Sequence, residues 1–213
     1  EELSRGQRQR IVAACVDMWQ AFTNSIHEWA PRCRIIYDKF HVMQHANAAV
    51  DEVRRAEFFR KGGPARQLVK GKRWLLLSRW VHLSAAKRQQ LNALFMLNRR
   101  VFKAYLLKES LERLWTYHYE GAMFRYLQSW IAQLRWQRLP AFDKLAAMLV
   151  DHLDGLLNHC RTPVRFRVVE AINGNIKALL RRGRGYTNLR YLLLTAQRQA
   201  VTKTEFIAFT RAA

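Results

Sequence analysis

The chain has 213 residues, with 37 Lys and Arg against 16 Asp and Glu, for a formal charge of +21. Half of its residues are hydrophobic, which excludes global disorder, and Lys or Arg interrupts every apolar run before the roughly 18 residues a membrane crossing needs. A basic surplus of this size favours a polyanion, so nucleic acid bound with strong salt dependence is the expected partner and no membrane is.

The polar start, Glu1-Glu-Leu-Ser-Arg5, carries no signal peptide, and the cytoplasm is the expected compartment. The chain has no initiator Met and begins as if inside an element, so a fragment is expected. Ile11-Val-Ala-Ala-Cys-Val16 is a short apolar run that ends on Asp17. Met18 to Ala30 carries Trp19, Phe22, Ile26 and Trp29 at helical spacing, and Pro31 closes it. A second β-favouring run, Arg34-Ile-Ile-Tyr37, ends on Asp38. Strand, helix, strand in so few residues predicts a crossover unit with two buried parallel strands. Both acids then lie at carboxyl ends of strands, where open α/β sheets place their ligands.

A helix is predicted from Val42 to about Lys61, with Val42, Ala46, Ala49, Val50 and Val53 inward and Gly62-Gly63-Pro64 as its stop. From Ala65 to about Cys160 the pattern is helical throughout. The predicted segments are Arg66–Trp80, Ser84–Leu97, Arg99–Tyr117, Ala122–Arg138 and Pro140–His159, with Ser84 as an N-cap and Pro140 in a first turn. Two further helices are predicted, from about Val164 to Arg182 and from Thr187 to about Lys203, around the basic turn Arg181-Arg-Gly-Arg-Gly-Tyr-Thr187. An interruption of about a hundred residues is too long for a structureless loop and predicts a helical subdomain.

Several residues could carry chemistry. On a helix, Glu170, Asn173 and Lys177 share one face, an arrangement that suits a metal ligand beside a phosphate clamp, or equally a solvated surface. Asp17 reads either as a site carboxylate or as a helix N-cap. Asp38 and His41, three apart, could bind metal, fix the imidazole tautomer, or form a structural pair. Cys15, Cys33 and Cys160 form no CxxC pair, and with His41 they have the wrong spacing for zinc. Trp74, Trp80, Trp115, Tyr117, Trp130 and Trp136 interleave with Arg and Lys; most should be core, and a surface minority could stack on bases.

Three signatures occur in order: Ala14-Cys-Val-Asp17-Met-Trp; Asp38-Lys-Phe-His41-Val with Asn47 downstream; and Glu170-Ala-Ile-Asn173-Gly-Asn-Ile-Lys177 with Arg181 and Gly185-Tyr-Thr-Asn188. Together they resemble the bacterial DDE transposases of the insertion sequence L-three family, from about Ser4 to Val201. The resemblance implies an α/β, mostly helical chain. It implies a partial ribonuclease-H-like βαβ core at residues 1-61, an all-helical insertion at 62-160, and C-terminal helices at 161-213 that complete the core and bring the Glu helix. It further implies two Mg²⁺ ions held by three carboxylates, phosphodiester cleavage and strand transfer on double-stranded transposon DNA, and a homo-oligomer on that DNA. Asp17 maps to the second Asp and Glu170 to the Glu, both catalytic and metal-binding. Asp38, His41 and Asn173 support the site, and Lys177, Arg181, Arg182 and Arg184 line the DNA backbone. An alternative mapping makes Asp38 the second Asp and Asp17 accessory. The family's first Asp belongs on an earlier strand and has no counterpart before Ile11, nor do its zinc-binding and helix-turn-helix segments. The chain alone is therefore expected to be inactive. The competing expectations are a non-catalytic basic helical protein that coats DNA or RNA, and a Trp-rich dimerisation module.

Overall fold

A computed structural model describes residues 4–60, 69–162 and part of 174–198. The chain divides into two compact units, Glu1–Pro163 and Val164–Ala213.

In the first unit, Ser4 opens helix α1 (Arg5–Gln9) through a capping box: its hydroxyl accepts from the Gln7 amide, and the Gln7 side chain accepts from the Ser4 amide. Strand β1 (Ala13–Val16), helix α2 (Gln20–Trp29) and strand β2 (Arg34–Tyr37) follow. The strands pair in parallel, with Ala13 opposite Arg34 and Val16 opposite Tyr37. This two-stranded sheet is the only sheet among the described residues, and the other described elements of the unit are helical.

Helix α3 (Lys39–Arg60) buries Val42, Ala46, Ala49, Val50 and Val53, the five positions its periodicity marks as inward. The same stripe continues to Glu57, whose carboxylate is fully buried. Against α3 pack helices α4 (Arg73–Leu77), α6 (Arg99–Leu111) and α8 (Pro140–Asp151). Between α4 and α6 run a 3-10 turn (Trp80–His82) and helix α5 (Ala85–Leu97). After α6 come a second 3-10 turn (Glu112–Thr116) and helix α7 (Glu120–Leu134). Helix α9 (Leu153–Arg161) then packs on β2. Trp130, Phe142, Leu91, Leu111 and Leu149 centre the core. Among the described residues no helix is long and apolar enough to cross a membrane.

Buried Glu57 is matched from several sides. Arg60 donates to both its oxygens at 2.9 and 2.7 Å, Asn98 donates to Oε2 at 3.1 Å, and Arg100 approaches Oε1 at 3.2 Å. Burial raises the carboxyl pKa, but hydrogen bonds from Arg60 and Asn98 and the two guanidinium charges outweigh it and hold it below the usual range. Asn98 also accepts from the Val101 amide and so caps α6.

The structure corrects several sequence expectations. The Trp19, Phe22, Ile26, Trp29 stripe does not form a buried face: Trp19, Phe22 and Trp29 are exposed, and Ile26 alone packs on the core. β1 is only half-buried, whereas β2, on which α9 packs, is buried along Ile35, Ile36 and Tyr37. The helix expected from Arg66 to Trp80 is described from Arg73 to Leu77, and the one expected to reach Tyr117 tightens into a 3-10 turn after Leu111. The helix expected to reach Arg138 ends at Leu134, and Arg138 adopts a left-handed φ of 52°, which no right-handed helix continues. The helix expected from Pro140 to His159 is two, broken at His152. Pro140 does sit in a first helical turn, and Ser84 occupies an N-cap position without a side-chain bond. The Gly62-Gly63-Pro64 stop lies outside the described residues.

The break at His152 sets Gly155 of α9 flat against the Tyr37 ring, where any Cβ would collide with Cδ2 and Cε2 of Tyr37. Tyr37 also packs edge-on to His152 at 5.0 Å. Asn158 donates to the outward carbonyl of Ile35 at 2.9 Å, so α9 closes the side of β2 that β1 leaves open. Gly155→Ala should therefore destabilise the unit by about 1–3 kcal/mol through overpacking. In thermal denaturation the double variant with Tyr37→Leu should fall well short of the summed losses. Additive losses would show that the ring is not the obstacle.

In the second unit, Gly174, Asn175, Ala178, Leu179 and Arg181 are helical, as are Arg190, Tyr191, Leu194, Thr195 and Arg198. Asn188 accepts from the Tyr191 amide at 3.1 Å, three residues on, in the manner of an N-cap.

Candidate functional site

Asp17 and Asp38 directly follow the last residues of two adjacent parallel strands, so the backbone delivers both carboxylates to one end of the sheet. Asp17 is not a helix cap, since the N-cap of α2 is Trp19 and makes no side-chain bond. Its Oδ1 accepts from the Met18 amide at 2.7 Å, and its side chain is 39% exposed.

Asp38 is buried. Its Oδ1 accepts from the Phe40 amide at 3.0 Å and its carbonyl from the Val42 amide at 3.2 Å, so it caps α3. His41, one turn into α3, stands between the two acids. Nδ1 lies 3.0 Å from Oδ2 of Asp38 without hydrogen-bond alignment, and Nε2 lies 3.8 Å from Oδ2 of Asp17. Phe40 packs edge-on to the His41 ring at 5.6 Å. The Cys15 thiol, inside β1, is pushed up to about 11 by burial and then by the Asp38 charge, which keeps it a neutral thiol.

Lys39, which sequence reasoning passed over, ties this turn to the helical region. Its ammonium pairs with Glu112 at 2.8 Å and lies 5.7 Å from the Trp115 ring centroid. Arg79 holds the other Glu112 oxygen at 2.6 Å. Only its place between the two site residues could have flagged it.

Glu170, Asn173, Lys177, Arg182 and Arg184 lie outside the described residues; Arg181 is helical and exposed. Among the described residues no three His, Cys, Asp or Glu side chains cluster as a metal site, and the three cysteines are unbridged. Of the aromatics in the helical region, Trp130 is core, donating to the Leu107 carbonyl at 3.0 Å, and Trp80, Trp115 and Tyr117 are half-buried. Trp74 and Trp136 are exposed, with Arg73 and Arg135 over their rings at 5.2 and 5.7 Å.

The family model of the ISL3-type DDE transposases, described as transposase, matches residues 1–196. The chain belongs to this family. It is also 34% identical over 197 residues to the transposase for insertion sequence element IS1001 of Bordetella parapertussis. That alignment covers 91% of this chain and 48% of the relative, so the chain spans about half the length of the curated relative it matches. No solved structure matches it.

Proposed function

We propose that this chain is the part of an ISL3-family transposase that binds transposon DNA and brings Asp17 and Glu170 to the phosphodiester. The intact protein then cleaves strands and transfers them with divalent metal. The observation that carries this reading is the delivery of Asp17 and Asp38 to one end of a parallel pair, with His41 between them. A parallel β-α-β pair followed by helices supports, in this reading, a ribonuclease-H-like core split by a helical insertion, with the core at 1-61, the insertion at 62-160 and the core-completing helices at 161-213.

Donor chemistry separates the two acids. Asp38 does not suit a metal: one oxygen is bonded to the Phe40 amide, the other faces His41, and the side chain is buried. Asp17 suits one better, because its side chain is 39% exposed and its hydrogen bond goes from the Met18 amide to Oδ1, leaving Oδ2 with only His41 at 3.8 Å. Asp17 and Glu170 would thus hold Mg²⁺, with Asp38 and His41 orienting Asp17. Bound Mg²⁺ supplies a lowered pKa for the attacking water or hydroxyl and charge stabilisation for the leaving oxygen. The chain's own side chains position that attack, and Lys177, Arg181, Arg182 and Arg184 neutralise phosphates along the DNA.

The isolated chain should bind duplex DNA by fluorescence anisotropy, losing about a thousandfold in affinity between 50 and 200 mM salt if about six phosphates are contacted. It should nick that duplex undetectably in Mg²⁺, because two carboxylates alone make a weak site. Salt-insensitive binding would sink the electrostatic part of the proposal. Robust Mg²⁺-dependent nicking by the isolated chain would sink the shared-site part.

A further inference from the structure

The end of the sheet away from Asp17 and Asp38 holds a groove of about 580 Å³, between α1 and the segment leading from α2 into β2. Arg5 and Arg8 come from α1, Glu28 and Trp29 from the last turn of α2, and Arg32 from the connection to β2. The Trp29 indole is 54% exposed, and the Arg8 guanidinium carbon lies 4.8 Å from its ring centroid. The Ser4–Gln7 capping box fixes the first turn of α1, which carries Arg5 and Arg8.

We propose that this groove takes one unpaired nucleotide of a nucleic-acid strand, the base stacked with Trp29 and Arg8 and the flanking phosphates on Arg5 and Arg32. The combination of groups selects this ligand. An exposed indole that already accepts a flat cation presents a surface on which any base stacks, and guanidinium groups at the rim neutralise phosphate. The volume falls in the range of small-ligand sites of about 300–1,000 Å³. A duplex keeps its bases stacked inward, so it meets the arginines without reaching the indole. Glu28 disfavours a purely anionic ligand such as a lipid headgroup or polyphosphate, yet it accepts hydrogen bonds from a base. The site lies at the amino ends of β1 and β2, opposite Asp17, so it adds a DNA contact to the proposed function without resting on the carboxylates.

The test uses the full chain and fluorescence anisotropy with three labelled probes: a thymidine homopolymer of about 15 nucleotides, an abasic strand of the same length, and a duplex. The chain should bind the thymidine strand about 10-fold tighter than the abasic one. Trp29→Ala should erase that preference while leaving abasic and duplex binding within about 2-fold; Trp29→Phe should keep part of it. Arg32→Gln should weaken both single strands. The proposal is overturned if the chain prefers neither single strand, or if Trp29→Ala lowers all three affinities alike. Trp29-dependent strand binding with no duplex affinity would instead sink the transposon-DNA reading and leave the groove standing. Duplex binding with no preference for the thymidine strand over the abasic one would do the reverse.

Discussion

Lys108→Met should lower the unfolding free energy by about 3–5 kcal/mol, the cost of breaking a buried charged network by removing one partner. The Lys108 side chain is buried, and its ammonium donates to the carbonyls of Leu76 and Ser78 at 3.0 Å and of Leu77 at 3.5 Å. Glu109 lies 3.0 Å from it, and the Tyr105 ring centroid 4.3 Å. Those carbonyls close α4, a helix of five residues too short to persist unaided. An apolar swap often replaces a whole buried ion pair at little cost, but here the acceptors are mostly backbone, and the Leu76 and Leu77 carbonyls stay behind without the ammonium. Burial holds the Lys108 pKa below the usual lysine range, opposed by the Glu109 charge and hydrogen bond. Tyr105 supplies a cross-check, because its hydroxyl also donates to Ser78 O, at 3.1 Å. Tyr105→Phe should cost about 1 kcal/mol alone and more in the Lys108→Met background, where Ser78 has lost its other donor. Urea denaturation followed by circular dichroism measures all three variants. A loss below about 1 kcal/mol for Lys108→Met would mean that water replaces the ammonium.

Local pattern reports periodicity and turn chemistry, and long-range partners lie beyond it. The inner face of α3 was legible because period and burial agree from Val42 to Val53, and the strand ends were legible because a β-favouring run met an acid twice. Glu57 could have been found, since it falls four residues beyond Val53 on the buried stripe, and a carboxylate at a core position demands partners. Those partners, Asn98 and Arg100, lie some forty residues on, which no local pattern reports. Lys108 is less legible still, because its acceptors are backbone carbonyls that any sequence possesses. On α2 the spacing announced the helix that forms, but amphipathic spacing says which face is apolar, not whether anything packs against it. The His152 break has no Pro or Gly at that position to announce it; its basis is the fit of Gly155 to Tyr37, more than a hundred residues away. At the candidate site the motifs placed Asp17, Asp38 and His41 in the right loops, but the bridge between the acids is a fact of three dimensions.

That bridge sets the last expectation, which concerns the intact transposase and rests on the proposed function. Asp17→Asn should abolish Mg²⁺-dependent strand cleavage while leaving duplex affinity unchanged, since it removes a metal ligand and touches none of the cations that meet phosphate. Asp38→Asn should be milder, about 10–100-fold in cleavage rate or metal affinity, the usual effect of losing a group that orients a ligand. Asparagine is the informative replacement, because it caps a helix as well as aspartate does and so preserves the bond to the Phe40 amide. What it removes is the negative charge facing His41 Nδ1. If Asp38 acts through His41 upon Asp17, the double variant Asp38→Asn, His41→Ala should be no slower than His41→Ala alone. Both single variants should also raise the Mg²⁺ concentration needed for half-maximal cleavage, a shift that mere loss of stability would not produce. Multiplicative losses with an unchanged Mg²⁺ requirement would separate the two residues and return Asp38 to a capping role. Cleavage that survived Asp17→Asn would remove this end of the sheet from the chemistry.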